Sequence, residues 1–201
     1  MIDGLRRLGR ALVVLALIGM LISFAAQSPR VLQLINPLDY VEYITVYATA
    51  NGIDPFLVAS IIRVESGYRR DARSSKGACG LMQIMPETGE WAAGQLGLVG
   101  YSEDQLFDPD TNIMIGAWYF GHLLRIFHDE AVIALAAYNG GPSNVERWLS
   151  SGTWSGRVEE IGDIPYPETA RYVERVLNMN RIYHKAYRSR WPGKASEFES
   201  E

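Results

Sequence analysis

Glu65, a carboxylate at the end of an apolar run, is one candidate for a catalytic residue. Residues 61–72 read IIRVESGYRRDA. Burial of a helix and the negative end of its dipole both disfavour an ionised carboxylate, so both would raise the pKa of Glu65. A carboxyl that stays protonated near neutral pH suits a general acid. The same sequence is also compatible with an ordinary exposed glutamate at a helix end. An ion pair with Arg69 would lower the pKa of Glu65 and so oppose the shift.

The stretch GACGLMQIMP, residues 77–86, is the second candidate. Glycines such as Gly80 permit positive φ angles and close approach of the backbone to a ligand. Exposed backbone N–H groups and the Gln83 amide would suit sugar hydroxyls or acetamides. Met82 and Met85 would add adaptable apolar lining. The same residues are also typical of a glycine-rich loop that precedes a helix started by proline and binds no ligand.

Two further stretches, AAYNGGP and IPYPETARYVERV, place polar groups at the ends of helices. Tyr138 and Asn139 precede a Gly-Gly-Pro break, which is also an ordinary helix stop. Glu168 and Tyr172 are four residues apart and therefore share one helix face. Glu168 in a first turn also complements the helix dipole, so neither stretch decides a function alone.

Taken together, these stretches resemble the soluble lytic transglycosylase (Slt-type) family of bacterial murein lytic transglycosylases. The motifs ES, SSKGACGLMQIMP, AAYNGGPSNVERWL and IPYPETARYVERV occur in that family's order and approximate spacing, over residues 37–187. The resemblance implies a lysozyme-like fold, distantly similar to goose-type lysozyme. It favours a catalytic Glu65 over an exposed structural one.

The resemblance also implies roles for individual residues. Glu65 matches the family's single catalytic acid/base, and Ser66 matches a serine that positions the reacting sugar. Gly140 stands where alanine is commoner, Asp71 where proline or asparagine is frequent, and Cys79 at a variable position of the loop. The implied substrate-binding residues are Ser66, Gly80, Met82, Gln83, Tyr138, Asn139, Glu168 and Tyr172.

The implied reaction is nonhydrolytic cleavage of the β-1,4 bond between N-acetylmuramic acid and N-acetylglucosamine, without a cofactor. Glu65 would protonate the bridging oxygen, and then take the proton of the muramyl 6-hydroxyl so that a 1,6-anhydro end forms. The substrate acetamide would assist, as in enzymes that lack a second carboxylate. The alternatives are a lysozyme-like hydrolase using Asp71 or Glu90 as second carboxylate, a noncatalytic wall-binding scaffold, and a helical interaction protein at the membrane.

The composition excludes several other classes of protein. The 201 residues are 48% hydrophobic and 21% charged, with a formal net charge of -4, which argues against nucleic acid as the main partner. Cys79 is the single cysteine, so no intramolecular disulfide can form. The three histidines lack the spacing of zinc ligands, so we expect no metal.

The N-terminal region predicts an association with the membrane. Three arginines precede the uncharged segment 11–26, ALVVLALIGMLISFAA, which fits either a signal peptide or a short membrane anchor. The poor cleavage site favours an uncleaved anchor, with the basic end in the cytoplasm and the remainder outside. The expected location is therefore the cell envelope, and the expected partners are the membrane and peptidoglycan glycan strands.

Nearly every segment after residue 36 predicts a helix, so the expected class is all-α. Asp54-Pro55, Pro86 and Asp108-Pro109 each predict a helix start, and Gly67 predicts a helix stop. Further helices are expected over 38–51, after His128-Asp129, near 145–149, and from Pro167 to about Tyr187. We expect a signal or anchor segment with a linker over 1–36 (the linker over 27–36), a catalytic domain over 37–190 and a short polar tail over 191–201.

Overall fold

The computed structural model describes residues 12, 15–21, 27–187 and 191–192, and this part of the chain contains helices and loops but no strand. The predicted all-α class is confirmed. Residues 15–21 are helical. Two 3-10 helices, Glu103–Phe107 and Val158–Asp163, were not expected from the sequence. The remaining helices are α1 Pro29–Ile35, α2 Val41–Ala50, α3 Pro55–Glu65, α4 Pro86–Leu96, α5 Pro109–Ile126, α6 Ala131–Gly140, α7 Pro142–Ser150 and α8 Pro167–Ala186.

The predicted Asp-Pro helix starts are confirmed. The side chain of Asp54 accepts a hydrogen bond from the backbone N–H of Phe56 at 3.0 Å, and Asp108 accepts one from Thr111 at 3.0 Å. These caps satisfy N–H groups that have no partner inside the helix. At the other end of α3, Gly67 takes a φ of 61°, which turns the chain away immediately after Glu65.

Helix α1 occupies most of residues 27–36, the region predicted as a linker. Ser28 caps α1 by accepting from the N–H of Val31, and the Gln33 amide donates to the carbonyl of Ala186 at 2.7 Å. This short helix packs against α8. The predicted tail likewise begins with a packed residue, since the Trp191 indole donates to Thr45 at 2.6 Å.

The core forms around α3, most of whose apolar residues are buried. Helix α3 packs on α8, while α6 packs on α5, α7 and α8. This arrangement brings the ends of three helices together, namely the C-termini of α3 and α6 and the N-terminus of α8. The loop between α3 and α4 closes over the same point, so four separate motifs of the sequence meet there.

No helix within the described ranges is long and apolar enough to cross a membrane. The anchor predicted over residues 11–26 lies partly outside those ranges, so it stays a prediction.

Candidate active site

A cleft of about 540 Å³ opens where the ends of α3, α6 and α8 meet the loop between α3 and α4. Five of the predicted site residues line it, namely Glu65, Gln83, Tyr138, Asn139 and Glu168. The structure therefore brings together residues that are up to about a hundred positions apart in the chain. The other residues of the lining are Ser74, Lys76, Ala78, Met85, Gly140, Tyr166, Pro167 and Thr169.

Glu65 is the last residue of α3 and is only partly exposed in the cleft. Burial raises the pKa of its carboxyl to about 7, from an ordinary value of 4.5. The Tyr172 hydroxyl and the Arg175 guanidinium lower this pKa, and the Glu168 carboxylate raises it. Because burial outweighs the groups that lower the pKa, the Glu65 carboxyl titrates well above its ordinary range.

The cation near Glu65 is Arg175 of α8 rather than Arg69. The Arg69 Nε donates to the backbone carbonyl of Ser66 at 3.0 Å, and no ion pair with Glu65 forms among the described residues. Gly67 turns the chain between Glu65 and Arg69, so the two do not share a helix face. The ion pair that would have opposed the raised pKa is thus absent from this part of the chain.

Two tyrosines flank Glu65 from different helices. The hydroxyl of Tyr138, on α6, donates to the backbone carbonyl of Met82 at 2.8 Å. The hydroxyl of Tyr172, on α8, is buried, and no described atom lies in good hydrogen-bond geometry with it. Burial first, and then the charge of Glu65, raises the pKa of both phenols, so both remain neutral donors.

A hydrogen bond fixes the amide of Asn139 at the end of α6. The buried hydroxyl of Thr169, in the first turn of α8, donates to Asn139 Oδ1 at 2.8 Å. With the oxygen occupied, the exposed amide nitrogen is left to donate into the cleft. Thr169 was not singled out from the sequence, although it lies inside a motif that was.

Four predicted substrate-binding residues are buried and do not line the cleft, namely Ser66, Gly80, Met82 and Tyr172. Ser66 is buried, and its hydroxyl donates to the carbonyl of Ile62 at 3.2 Å. Met82 is fully buried, whereas Met85 is 37% exposed and lines the cleft. Gly80 is buried with a φ of 75°. The geometry does not support direct ligand contact by Ser66, Gly80 or Met82.

These buried residues support the loop instead. A Cβ atom on Gly80 would lie 2.1 Å from the carbonyl oxygen of Leu106, so only glycine fits there. The buried side chain of Asn112, on α5, accepts from the Met82 N–H at 2.8 Å and donates to the carbonyls of Cys79 and Leu106. Asn112 thus holds the loop from behind, a role that no motif of the sequence predicted.

Charged and amide groups form the rim of the cleft. The Gln83 amide nitrogen donates to the carbonyls of Gly80 at 2.8 Å and Ala72 at 3.2 Å, which leaves its oxygen as an acceptor. Lys76 and Glu168 form an ion pair of 3.3 Å between the loop and α8. Both side chains are mostly exposed, so this pair is weak and a ligand can displace it.

The arrangement supplies one titrating carboxyl at the floor of the cleft and one carboxylate, Glu168, at its rim. Asp71 and Glu90, the second carboxylates that the hydrolase alternative would use, are exposed and do not line the cleft. Within the described ranges, no group of three His, Cys, Asp or Glu side chains could hold a metal ion. The Glu65 carboxyl can give a proton to a ligand in the cleft and take one back.

Comparison with known proteins gives one consistent family. The sequence model of the transglycosylase SLT domain matches residues 42–160. The soluble lytic murein transglycosylase of Escherichia coli K12 is 36% identical over 151 residues, which are 73% of this chain and 23% of that relative. An endo-type membrane-bound lytic murein transglycosylase A of Klebsiella pneumoniae is 33% identical over 144 residues, 61% of this chain and 70% of that relative.

Solved structures agree with the sequence relatives. An inactive mutant of the lytic transglycosylase Slt from Pseudomonas aeruginosa superposes with a TM-score of 0.72 at 34% identity, over 80% of this chain and 26% of that one. The 70 kDa soluble lytic transglycosylase of Escherichia coli gives 0.71 at 35% identity, over 77% and 25%. The chain spans less than a quarter of the length of the Escherichia coli sequence relative. The fold, the cleft and the matched residues show that this chain belongs to the transglycosylase SLT domain family.

Proposed function

We propose that this protein is a peptidoglycan lytic transglycosylase. It cleaves the β-1,4 bond between N-acetylmuramic acid and N-acetylglucosamine without water and leaves 1,6-anhydromuramyl ends, with Glu65 as the single acid/base. The observation that carries the proposal is the position of Glu65 at the cleft floor, where burial raises its pKa to about 7. The names of the relatives, all lytic murein transglycosylases, support the same activity.

The reaction needs one group that is first an acid and then a base. Protonated Glu65 gives its proton to the bridging oxygen, and the bond from that oxygen to the anomeric carbon breaks. The substrate acetamide oxygen bonds the anomeric carbon in its place. Glu65, now a carboxylate, takes the proton of the muramyl 6-hydroxyl, and that oxygen displaces the acetamide. A pKa near the working pH suits both steps.

Other residues of the cleft would bind and orient the glycan. The Asn139 amide nitrogen donates to an acetamide or hydroxyl oxygen, and the free oxygen of Gln83 accepts from a hydroxyl or acetamide N–H. The exposed side chains of Met85 and Tyr166 cover apolar faces of the sugar rings. Tyr172 donates from its unpartnered hydroxyl toward Glu65 in its ionised form, which steadies the carboxylate between the two steps.

A hydrolase on the same fold is the alternative that one observation favours. Glu168 is a second carboxylate in the cleft, and its charge raises the pKa of Glu65. Its ion pair with Lys76 and its exposure make it a rim residue that binds substrate, not a base for water. The mass of the product separates the two, because a hydrolase makes each new muramyl end one water heavier than an anhydro end.

The proposed site of action is the cell envelope, where peptidoglycan lies. The uncharged segment 11–26, preceded by three arginines, would hold the domain at the outer face of the cytoplasmic membrane. Digestion of purified sacculi tests the activity: the wild-type chain should release muropeptides with anhydro ends, and Glu65→Gln should release none. Release of muropeptides by Glu65→Gln would remove Glu65 from the proposal.

A further inference from the structure

A group of aromatic rings lies on α4 and α5, outside the cleft, with one exposed member and three half-buried ones. Trp91 is 41% exposed, and its ring centroid is 5.2 Å from that of Trp118, 5.0 Å from that of His122 and 6.1 Å from that of Tyr119. The rings of Trp118 and His122 stack within 11° of parallel. These four residues are called the aromatic platform below. Because three rings hold Trp91, its exposed face is fixed before any ligand arrives.

The aromatic platform borders a shallow groove of about 380 Å³ that lies beside the cleft. Three rings of the platform line this groove, and the full lining is Glu87, Thr88, Trp91, Tyr119, His122, Leu123, Ile126 and Pro142. Met85 and Gly140 line the cleft, and each lies only two residues from a groove residue, Glu87 and Pro142 respectively. The rings of Tyr119 and Tyr138 are 5.6 Å apart, so the two concave surfaces share a wall.

The aromatic rings of the groove suit the apolar face of a sugar ring. Exposed ring faces cover the apolar C–H face of a pyranose, while polar groups at their edges bond its hydroxyls. Among the described residues, none forms a hydrogen bond with the indole nitrogen of Trp91 or the hydroxyl of Tyr119. Burial, and then the charge of Arg125, lowers the pKa of His122, so its ring is neutral at pH 7.

We propose that the aromatic platform is a second glycan-binding site, which holds sugar units of the strand that extend past Met85 and Pro142. This inference rests on the proposed function for the identity of the glycan. A strand bound in both surfaces would be anchored at a distance from the bond that Glu65 cleaves. Binding energy from such remote sugars would select long strands over short fragments.

Direct binding tests the platform without relying on cleavage. The probes are peptide-free glycan strands of alternating N-acetylglucosamine and N-acetylmuramic acid, and a disaccharide of the same units. Titration calorimetry would compare Glu65→Gln with Glu65→Gln/Trp91→Ala, Glu65→Gln/Trp91→Phe and Glu65→Gln/Tyr43→Ala. Tyr43 is a matched control because it is 39% exposed on α2 and lines neither surface.

We expect Trp91→Ala to weaken binding of the long strands about tenfold, which corresponds to about 1.4 kcal/mol. The loss should be smaller for the disaccharide and for Trp91→Phe, which keeps a ring, and absent for Tyr43→Ala. Equal binding of long strands by the Trp91→Ala and parent proteins would overturn the proposal. So would a change of oligomeric state on Trp91→Ala, measured by ultracentrifugation, without a change in glycan affinity.

Failure of the proposed function would look different. If wild-type protein released no product from sacculi while the Trp91 series still differed in glycan affinity, the platform would stand and the catalytic assignment would fall. If product were released but the Trp91 series bound alike, only the platform would fall.

Discussion

The hydroxyl of Tyr172 faces the carboxyl of Glu65 and lowers its pKa, yet it is buried without good hydrogen-bond geometry to any described atom. An unpartnered hydroxyl costs free energy in the resting protein. It becomes useful when Glu65 is ionised, since a donor then stabilises the carboxylate. Substrate binding can tighten this contact, because catalytic hydrogen bonds are often long before a ligand arrives.

Tyr172→Phe tests that relationship. Loss of a donor that lowers the pKa of Glu65 should move this pKa upward, so the alkaline limb of the kcat/KM profile, where Glu65 loses its proton, shifts to higher pH. The free energy of unfolding should change by less than about 1 kcal/mol, because the hydroxyl has no good partner to lose. A profile that stays in place, or shifts to lower pH, would contradict the assigned contact.

The two charged side chains near Glu65 shift its pKa in opposite directions, so their substitutions should have opposite effects. Arg175 lowers the pKa of Glu65 and Glu168 raises it, so Arg175→Gln should shift the profile upward and Glu168→Gln downward. Both side chains are exposed, and both shifts should shrink in high salt. The carboxyl resonance of Glu65, followed by NMR titration of each variant, measures the pKa directly. Shifts in the same direction for both variants would contradict this electrostatic account.

Glu65 should make the protein less stable as pH rises. Its pKa is higher in the folded protein than the ordinary 4.5, so between pH 4.5 and 7 the unfolded chain gives up a proton that the folded chain keeps. Stability is therefore lost across that window. Since one pKa unit is about 1.36 kcal/mol, the loss is at most about 3 kcal/mol.

Glu65→Gln removes this cost and should be the more stable protein at pH 8. The difference from wild type should nearly vanish near pH 4.5, where Glu65 is protonated. Urea unfolding at both values measures it, and Glu90→Gln, an exposed position outside the cleft, is the matched control. A wild-type protein as stable as Glu65→Gln at pH 8 would show that Glu65 is not desolvated.

Thr169 is a positioning residue that acts through Asn139. Thr169→Val keeps the shape but removes the donor to Asn139 Oδ1, so the amide loses its fixed orientation. We expect kcat/KM to fall about tenfold, mainly through a higher KM, as for loss of one good hydrogen bond of about 1.4 kcal/mol. Thr169→Ser should restore most of the loss. A Ser variant as poor as the Val variant would indicate a packing role instead.

Gly80 should be intolerant of any side chain. Gly80→Ala places a Cβ 2.1 Å from the Leu106 carbonyl oxygen at a φ of 75°, so we expect a loss of about 3 kcal/mol or more. Gly94→Ala is the control, because nothing lies within 4 Å of its Cβ and it sits inside α4. That change should stabilise the protein by about 0.5–1 kcal/mol. Thermal unfolding of both variants measures these two changes in stability and so tests whether the backbone near Gly80 leaves room for a Cβ atom.

The helix starts could be predicted because their signals are local. Asp54-Pro55 and Asp108-Pro109 each combine a capping side chain with a residue that is already set for the first turn. Helix α1 could not be predicted in the same way. Its seven residues are too few to be stable alone, and they are held by contacts with α8 such as the bond from Gln33 to Ala186.

The candidate site shows the same division between local and distant information. The motif places Glu65 at the end of α3, but its nearby cation is Arg175, more than a hundred residues further along the chain. The sequence does not distinguish Met82 from Met85 as a cleft residue. Only the fold of the loop places Met85 in the cleft. Loops lack the periodicity that tells a buried face from an exposed one in a helix.

The central claim is that Glu65 closes the muramyl 6-oxygen onto the anomeric carbon without water. The most direct test is mass spectrometry of products released from purified sacculi by the full chain in ¹⁸O-labelled water. We predict anhydro ends that carry no label from wild type, and no products from Glu65→Gln. Reducing ends that are one labelled water heavier would contradict the claim and establish a hydrolase.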